Sequence, residues 1–387
     1  MSLAKICVVT GSRAEFGLLT PLLHALKNDP EIELQLLVTG MHLSAEFGNT
    51  CQEIEAAGFL INENVDMLLS SDTDTSIVKS MGLGMIGYAD ALDRLKPDWL
   101  ILLGDRFEAF AAATAAYMKK IPIAHLHGGE TTSGATDEAL RHSISKMSSL
   151  HFTSTEEYRK RVLQLGEPDN RVFNVGAIGL DSIRQMPLLD SEQLQQSLNF
   201  SFNGNTMLIT YHPVTLERNS SAQQMQQVLS ALDEFRDGKI IFTMPNADAN
   251  GKVIRTMIVD FVNRNPERSA AFDSLGQQKY LSVMRQASVV VGNSSSGIIE
   301  APSFGIPTVN IGDRQKGRIA AESIIHCAAE KSAIVDALKK AFDPKYKEFC
   351  RQVKNPYGDG DTTQKIISVL KKNLYNVNLK KEFVDRI

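Results

Sequence analysis

The stretch WLILLGDRFEAFAAATAAYMKKIPIAHLHGG (residues 99–129) decides the fold. A five-residue apolar run ends in Gly-Asp. An alanine-rich, helix-favouring segment follows, and then a second apolar run ends in His-Gly-Gly. Short continuous apolar runs on either side of a helix read as a βαβ unit, whose parallel strands are covered on both faces. Ligands of such sheets bind beyond the carboxyl ends of the strands. The residues to weigh are therefore those immediately after each strand.

The same alternation extends in both directions. KICVVTG, LQLLVTG, LHFTST and VFNVG complete a first strand series. The pattern then restarts with TMLITYHP, KIIFTMP, AAFDSL, ASVVVGNSS and PTVNIG. This predicts an α/β protein of two doubly wound domains, residues 1–180 and 181–365. Residues 366–387, which include most of the closing helix TTQKIISVLKKNL, are expected to cross back to the first domain. With 387 residues, both domains are long enough to bury sizeable cores. A net charge of −4 argues against a nucleic-acid or anionic-membrane partner held by general electrostatics. No apolar run approaches the roughly 18 residues of a membrane span, and no signal-peptide pattern opens the chain, so a cytoplasmic protein is expected. The four cysteines are scattered without metal-ligand spacing, so neither a disulfide framework nor a metal is expected.

Arg13, Arg106 and Arg314 follow three of the strands, and guanidinium forks match phosphate geometry. GNSSSGIIEAP (292–302) offers the most favourable anion site: small residues, hydroxyl donors and the start of a helix. Glu300 further along it suits a pair of ribose hydroxyls, although the same serine run also reads as an ordinary helix cap. GLGMIG (82–87) fits a dinucleotide fingerprint only by spelling. No strand precedes it, so it reads as close helix packing and no nicotinamide cofactor is expected.

The stretch IAHLHGGETTSGATDEALRH (123–142) gathers three histidines and several acids at a strand's mouth. Asp105 ends the neighbouring strand, while Asp137 and Glu138 open the next helix, where first-turn acids also simply complement the helix dipole. With Glu130 and His127 they can converge on one sheet edge. Carboxylates sharing a site push one another's pKa apart, which supplies a proton donor and an acceptor. His125 lies one step deeper and reads as structural. His142 stands one turn after Glu138 and can orient it, or be a solvated surface histidine.

GSRAEFG, TGMHLS, GDRFEA, HGGETTSGATDEALRHSISKMS, HPVT, GNSSSGIIEAP, GDRQKGR and GDGDTTQKI occur together, in order, from about Ala4 to Leu370. In this the chain resembles the hydrolysing UDP-N-acetylglucosamine 2-epimerases of bacterial sialic- and legionaminic-acid synthesis. The resemblance implies two Rossmann-like domains in a GT-B arrangement, a UDP-sugar as substrate, no cofactor, and a homo-oligomer (dimer or tetramer). The reaction implied is anti-elimination of UDP across C1–C2 to a glycal, then hydration to the free manno-configured sugar. By position, the resemblance implies Asp105 and Asp137 as catalytic acids. It implies Arg13, Arg106, His212, Asn246, Ser294, Ser295, Glu300 and Arg314 as UDP-binding residues. His212 would assist departure of the diphosphate. Part of the family has glutamate where this chain has His127, so Glu130, His127 or a neighbour such as Glu138 takes that acid–base role, with Glu130 preferred. The HGGETT form also resembles the branch acting on UDP-2,4-diacetamido-2,4,6-trideoxyglucose. A non-hydrolysing epimerase, a GT-B glycosyltransferase and a non-catalytic nucleotide-sugar sensor are the alternative readings.

Overall fold

The computed structural model describes every residue except 1–2, 72, 132–135, 202–204, 215–219, 246–250, 376–377 and 387. The chain forms two compact units. The first comprises Met1–Glu130, Asp137–Arg184 and Tyr357–Ile387; the second comprises Thr131–Thr136 and Gln185–Pro356.

The first unit holds β1 (Ala4–Thr10), β2 (Ile32–Thr39), β3 (Glu63–Val65), β4 (Trp99–Leu103), β5 (Ile123–Leu126), β6 (Leu150–Thr153) and β7 (Val172–Asn174). They pair in the order β3-β2-β1-β4-β5-β6-β7, all parallel. Alternate residues of a strand face opposite sides of the sheet, and here both sides are apolar. Ile6, Val8, Trp99, Ile101 and Leu103 pack with the helices Arg13–Asn28 and Thr362–Asn373. Cys7, Val9, Leu100 and Leu102 pack with Asp74–Leu95 and Phe107–Met118. This double cover is why the strands read as unbroken apolar runs.

The second unit repeats the plan with β8 (Thr206–Thr210), β9 (Lys239–Thr243), β10 (Ser269–Phe272), β11 (Val289–Gly292), β12 (Thr308–Ile311) and β13 (Ile324–Cys327). Their order is β10-β9-β8-β11-β12-β13, again parallel throughout. In each sheet the strand order therefore reverses once, between β1 and β4 and between β8 and β11. Those switch points are where a doubly wound sheet opens its ligand crevice.

Three details differ from the sequence reading or sharpen it. β3 and β13 were not expected; both are short edge strands and carry polar residues. β5 stops at Leu126, so His127 no longer shares the strand's alternation and sits in the left-handed region at φ 64°. The glycines of GLGMIG lie inside the helix Asp74–Leu95, and a Cβ on Gly87 would stand 2.7 Å from Val65 Cγ1. That run is a packing device.

The return of the chain to the first unit is pinned by Asp181. Its carboxylate accepts from the backbone N–H groups of Thr362 (2.9 Å) and Thr363 (2.6 Å), capping the helix Thr362–Asn373. Ile366, Leu370 and Leu374 then enter the core beside Trp99, whose indole N–H donates to the Leu374 carbonyl at 3.4 Å.

Candidate active site

At the β1/β4 switch point, Ser12 caps the helix Arg13–Asn28, and Arg13 pairs with Glu53. From the other side, Arg106 clasps Glu108 with two bonds, Nε to Oε2 at 3.2 Å and Nη2 to Oε1 at 3.1 Å. Beside them Glu15 accepts the Gly11 N–H at 2.6 Å. Burial pushes the Glu15 carboxyl up to about 8, and the neighbouring Glu108 charge adds to the rise. Arg13 and Arg106, both expected at phosphates, are thus held by carboxylates at the crevice. His42 is buried beneath, with ring nitrogens 3.1 Å from Thr10 Oγ1 and 2.6 Å from Thr50 Oγ1. Burial lowers its pKa to about 4.

One strand over, Arg141 organises the acids. It lies on the helix Asp137–Met147 with a side chain only 1% exposed. Its Nη2 pairs with Asp105, and its Nη1 donates to the Glu130 carbonyl at 2.7 Å and to Glu138 Oε2 at 3.3 Å. Glu138 also lies 3.2 Å from His142 Nε2. Asp137 starts the helix one turn before Arg141, on the same face. A single buried guanidinium therefore offsets the repulsion between the Asp105 and Glu138 carboxylates and ties them to the backbone of the loop after β5.

The loop after β5 is tightly specified. Gly129 has φ 79°, and a Cβ there would lie 2.4 Å from the Tyr158 carbonyl oxygen. Glu130 is buried and accepts from Ser154 Oγ at 2.7 Å, with His127 Nδ1 3.0 Å from the same Oε1. His125 is buried: its Nε2–H donates to the Gly104 carbonyl at 2.7 Å, and its Nδ1 accepts from Ser145 Oγ at 3.1 Å. Burial lowers its pKa to about 3. It ties β4, β5 and the acid-bearing helix together, a structural role.

In the second unit, His212 and Asn293 face each other across the β8/β11 switch point. The Asn293 side chain accepts the His212 N–H at 2.7 Å and donates to the His212 carbonyl at 2.8 Å, as a strand neighbour would. Gly292 makes this possible, because a Cβ at its φ of 129° would lie 1.9 Å from the Thr210 carbonyl oxygen. The Asn293 carbonyl in turn accepts from Arg314 Nη1 (3.1 Å) and Gln315 Nε2 (2.8 Å). Ser294 caps the short helix Ser295–Ile299, with its Oγ 3.1 Å from Ser296 Oγ, and the Tyr280 hydroxyl bonds Ser296. Glu300 is buried at the end of that helix. Asn246 lies outside the described residues.

The chain matches known proteins along nearly its whole length. A family profile described as UDP-N-acetylglucosamine 2-epimerase covers residues 24–371. The chain is 43% identical to the GDP/UDP-N,N′-diacetylbacillosamine 2-epimerase (hydrolyzing) of Campylobacter jejuni, over all of both chains. The chain belongs to the UDP-N-acetylglucosamine 2-epimerase family. Within the family it is 38% identical to the Legionella pneumophila UDP-N,N′-diacetylbacillosamine 2-epimerase (hydrolyzing), over 95% of each chain. It is also 38% identical to the Escherichia coli polysialic acid biosynthesis protein P7, over 98% of this chain and 97% of that one. Two solved members share the fold. The Neisseria meningitidis UDP-GlcNAc 2-epimerase bound to UDP-GlcNAc has a TM-score of 0.81 at 22% identity, over 95% of this chain and all of the other. A Listeria monocytogenes structure described as a UDP-N-acetylglucosamine 2-epimerase gives 0.80 at 20% identity over both whole chains. Among the described residues of this epimerase-family chain, no helix is long and apolar enough to cross a membrane.

Sequence reasoning missed Arg141, Ser154, Tyr280 and Gln315. Arg141 carried a faint signal, an arginine one turn after Glu138; the others reach the site only through tertiary packing.

Proposed function

We propose that this chain is a hydrolysing 2-epimerase that takes UDP-2,4-diacetamido-2,4,6-trideoxyglucose (UDP-N,N′-diacetylbacillosamine) in preference to UDP-N-acetylglucosamine. The observation that carries this reading is the full-length 43% identity to a hydrolysing diacetylbacillosamine 2-epimerase, against 32% to the Neisseria meningitidis UDP-N-acetylglucosamine 2-epimerase. The chemistry follows from the acids. A carboxylate of the set Asp105, Glu130 and Asp137 takes the C2 proton as the C1–O bond breaks and UDP leaves with the electron pair. Water then adds at C1 of the glycal, and a second acid of the set protonates C2 from the opposite face, giving the manno-configured sugar. Proton and water moves leave no net oxidation, so the reaction calls for no redox cofactor. Departure of UDP needs positive or donating groups at the diphosphate. Arg13, Arg106, His212, Ser294, Ser295 and Arg314 are assigned to that role, with Glu300 and Asn246 assigned to the nucleoside side.

Proton NMR in D₂O tests this with both nucleotide sugars. The expected result is free UDP and a free manno-configured sugar carrying deuterium at C2, formed faster from the diacetamido substrate. A faster reaction with UDP-N-acetylglucosamine removes the substrate assignment, and a product still linked to UDP removes hydrolysis.

A further inference from the structure

His127 stands two residues from His125, yet its hydrogen bonds demand the opposite tautomer. The backbone N–H of Ile178 donates to His127 Nε2 at 3.3 Å. An N–H can only donate, so Nε2 carries the lone pair and the ring proton sits on Nδ1. From there it points at Glu130 Oε1, 3.0 Å away. Both ring nitrogens are therefore committed to the protein, and the side chain is only 11% exposed. An imidazolium would set an Nε2–H against the Ile178 N–H, donor against donor. A ring with neither nitrogen left for substrate is poorly suited to carry a proton through the reaction.

The backbone also holds the ring in place. Among the described residues, His127 is one of few non-glycine residues at positive φ, where a side chain is disfavoured and persists only if its surroundings hold it. Two features hold it here. Its own N–H donates to the Phe152 carbonyl at 2.8 Å. Ile178 belongs to the segment after β7, where Ala177 N–H donates to the Tyr357 carbonyl at 3.0 Å.

We infer that His127 is a positioning residue: fixed as the Nδ1–H tautomer by the Ile178 amide, it orients the Glu130 carboxylate, and Glu130 carries the acid–base step. This rests on the reading of the β5 loop as the acid–base site. Histidine thus stands in place of the glutamate found in part of the family as a donor to the next acid along.

Two measurements separate the inference from that reading. Nitrogen-15 NMR of the protein without substrate, assigned by the signal lost in His127→Asn, is expected to show Nδ1 as pyrrole-type and Nε2 as pyridine-type. A pyrrole-type Nε2 overturns the inference whether or not the protein turns over a sugar. In turnover, His127→Asn keeps a donor near the Nδ1 position and tolerates positive φ, so kcat is expected within about tenfold of the parent. His127→Gln places its amide near Nε2 instead and, like His127→Ala, is expected to lose about 100-fold in kcat with KM little changed. Glu130→Gln is expected to abolish deuterium incorporation at C2. If His127 itself carried the proton, Asn would be as inactive as Ala and Gln, and that result overturns the inference. An inactive parent with the expected tautomer would instead remove the functional reading alone.

Discussion

Arg141 is the residue on which the acid cluster depends. A buried guanidinium is costly unless it is paired, and Asp105, Glu138 and the Glu130 carbonyl engage both of its terminal nitrogens from three segments. Lysine has the charge without the fork and cannot span that set. Arg141→Lys is therefore expected to lower unfolding stability by about 3 kcal/mol, read by denaturant titration. Asp105→Asn removes charge but little shape. It should abolish UDP release while UDP binding, followed by calorimetry, persists; unchanged turnover would take Asp105 out of the mechanism. Asp105 and Asp137 are visible in the sequence because they end a strand and start a helix. Arg141 is not, since an arginine on a polar helix face ordinarily points to water, and only tertiary packing buries it.

Strand ends hold the ionisable groups in unusual states, and this makes stability depend on pH. Burial holds His42 near 4 and His125 near 3, below the usual 6.5 of an unfolded chain. The unfolded chain takes up their protons first, so their contribution is complete above pH 6.5 and is lost as pH falls towards 4 and 3. Glu15 acts in the opposite sense. Its folded pKa of about 8 exceeds the unfolded 4.5, so its contribution is complete below pH 4.5 and is lost as pH rises towards 8. It offsets one histidine between pH 6.5 and 4.5. Glu15→Gln should therefore steepen the fall in stability over that window by up to about 1.4 kcal/mol per pH unit, measured by urea unfolding at several pH values. An unchanged slope would mean that Glu15 is ionised in the fold. At the β8/β11 switch point, Gly292→Ala would drive a methyl into Thr210 and unseat the Asn293–His212 exchange. A loss of UDP affinity together with a lower Tm is expected, checked by calorimetry and thermal melts. The apolar interior strands of both sheets are legible from composition alone. The edge strands β3 and β13 are not, because Glu63-Asn64-Val65 and Ile324-Ile325-His326-Cys327 are short, partly exposed and without an apolar run long enough to stand out.

At the scale of the molecule, the end of the chain matters more than its composition suggests. Glu167 is buried and is reached by His151 (3.1 Å), Lys146 (2.7 Å) and Lys381 (2.9 Å). Despite burial, bonds from His151 and the two lysines hold its carboxyl down at about 2. Lys146 is near the far end of the helix that bears Asp137, Glu138 and Arg141, so the tail braces that helix from behind. Lys381→Met, which leaves one fewer cation on a buried carboxylate, is expected to cost about 1–3 kcal/mol, seen as a lower Tm. An unchanged Tm would show that Lys146 and His151 suffice.

The first unit borrows Ile366, Leu370 and Leu374 for a core otherwise built before residue 185. During synthesis it must wait for them while the whole of Gln185–Pro356 is translated. The half made second therefore completes first, reversing the usual N-to-C order of domain maturation. Chains ended at Pro356 and followed by a spacer long enough to clear the exit tunnel should show a protease-resistant second unit and a cleavable first, and the first unit stays open until Ile366, Leu370 and Leu374 have left the ribosome.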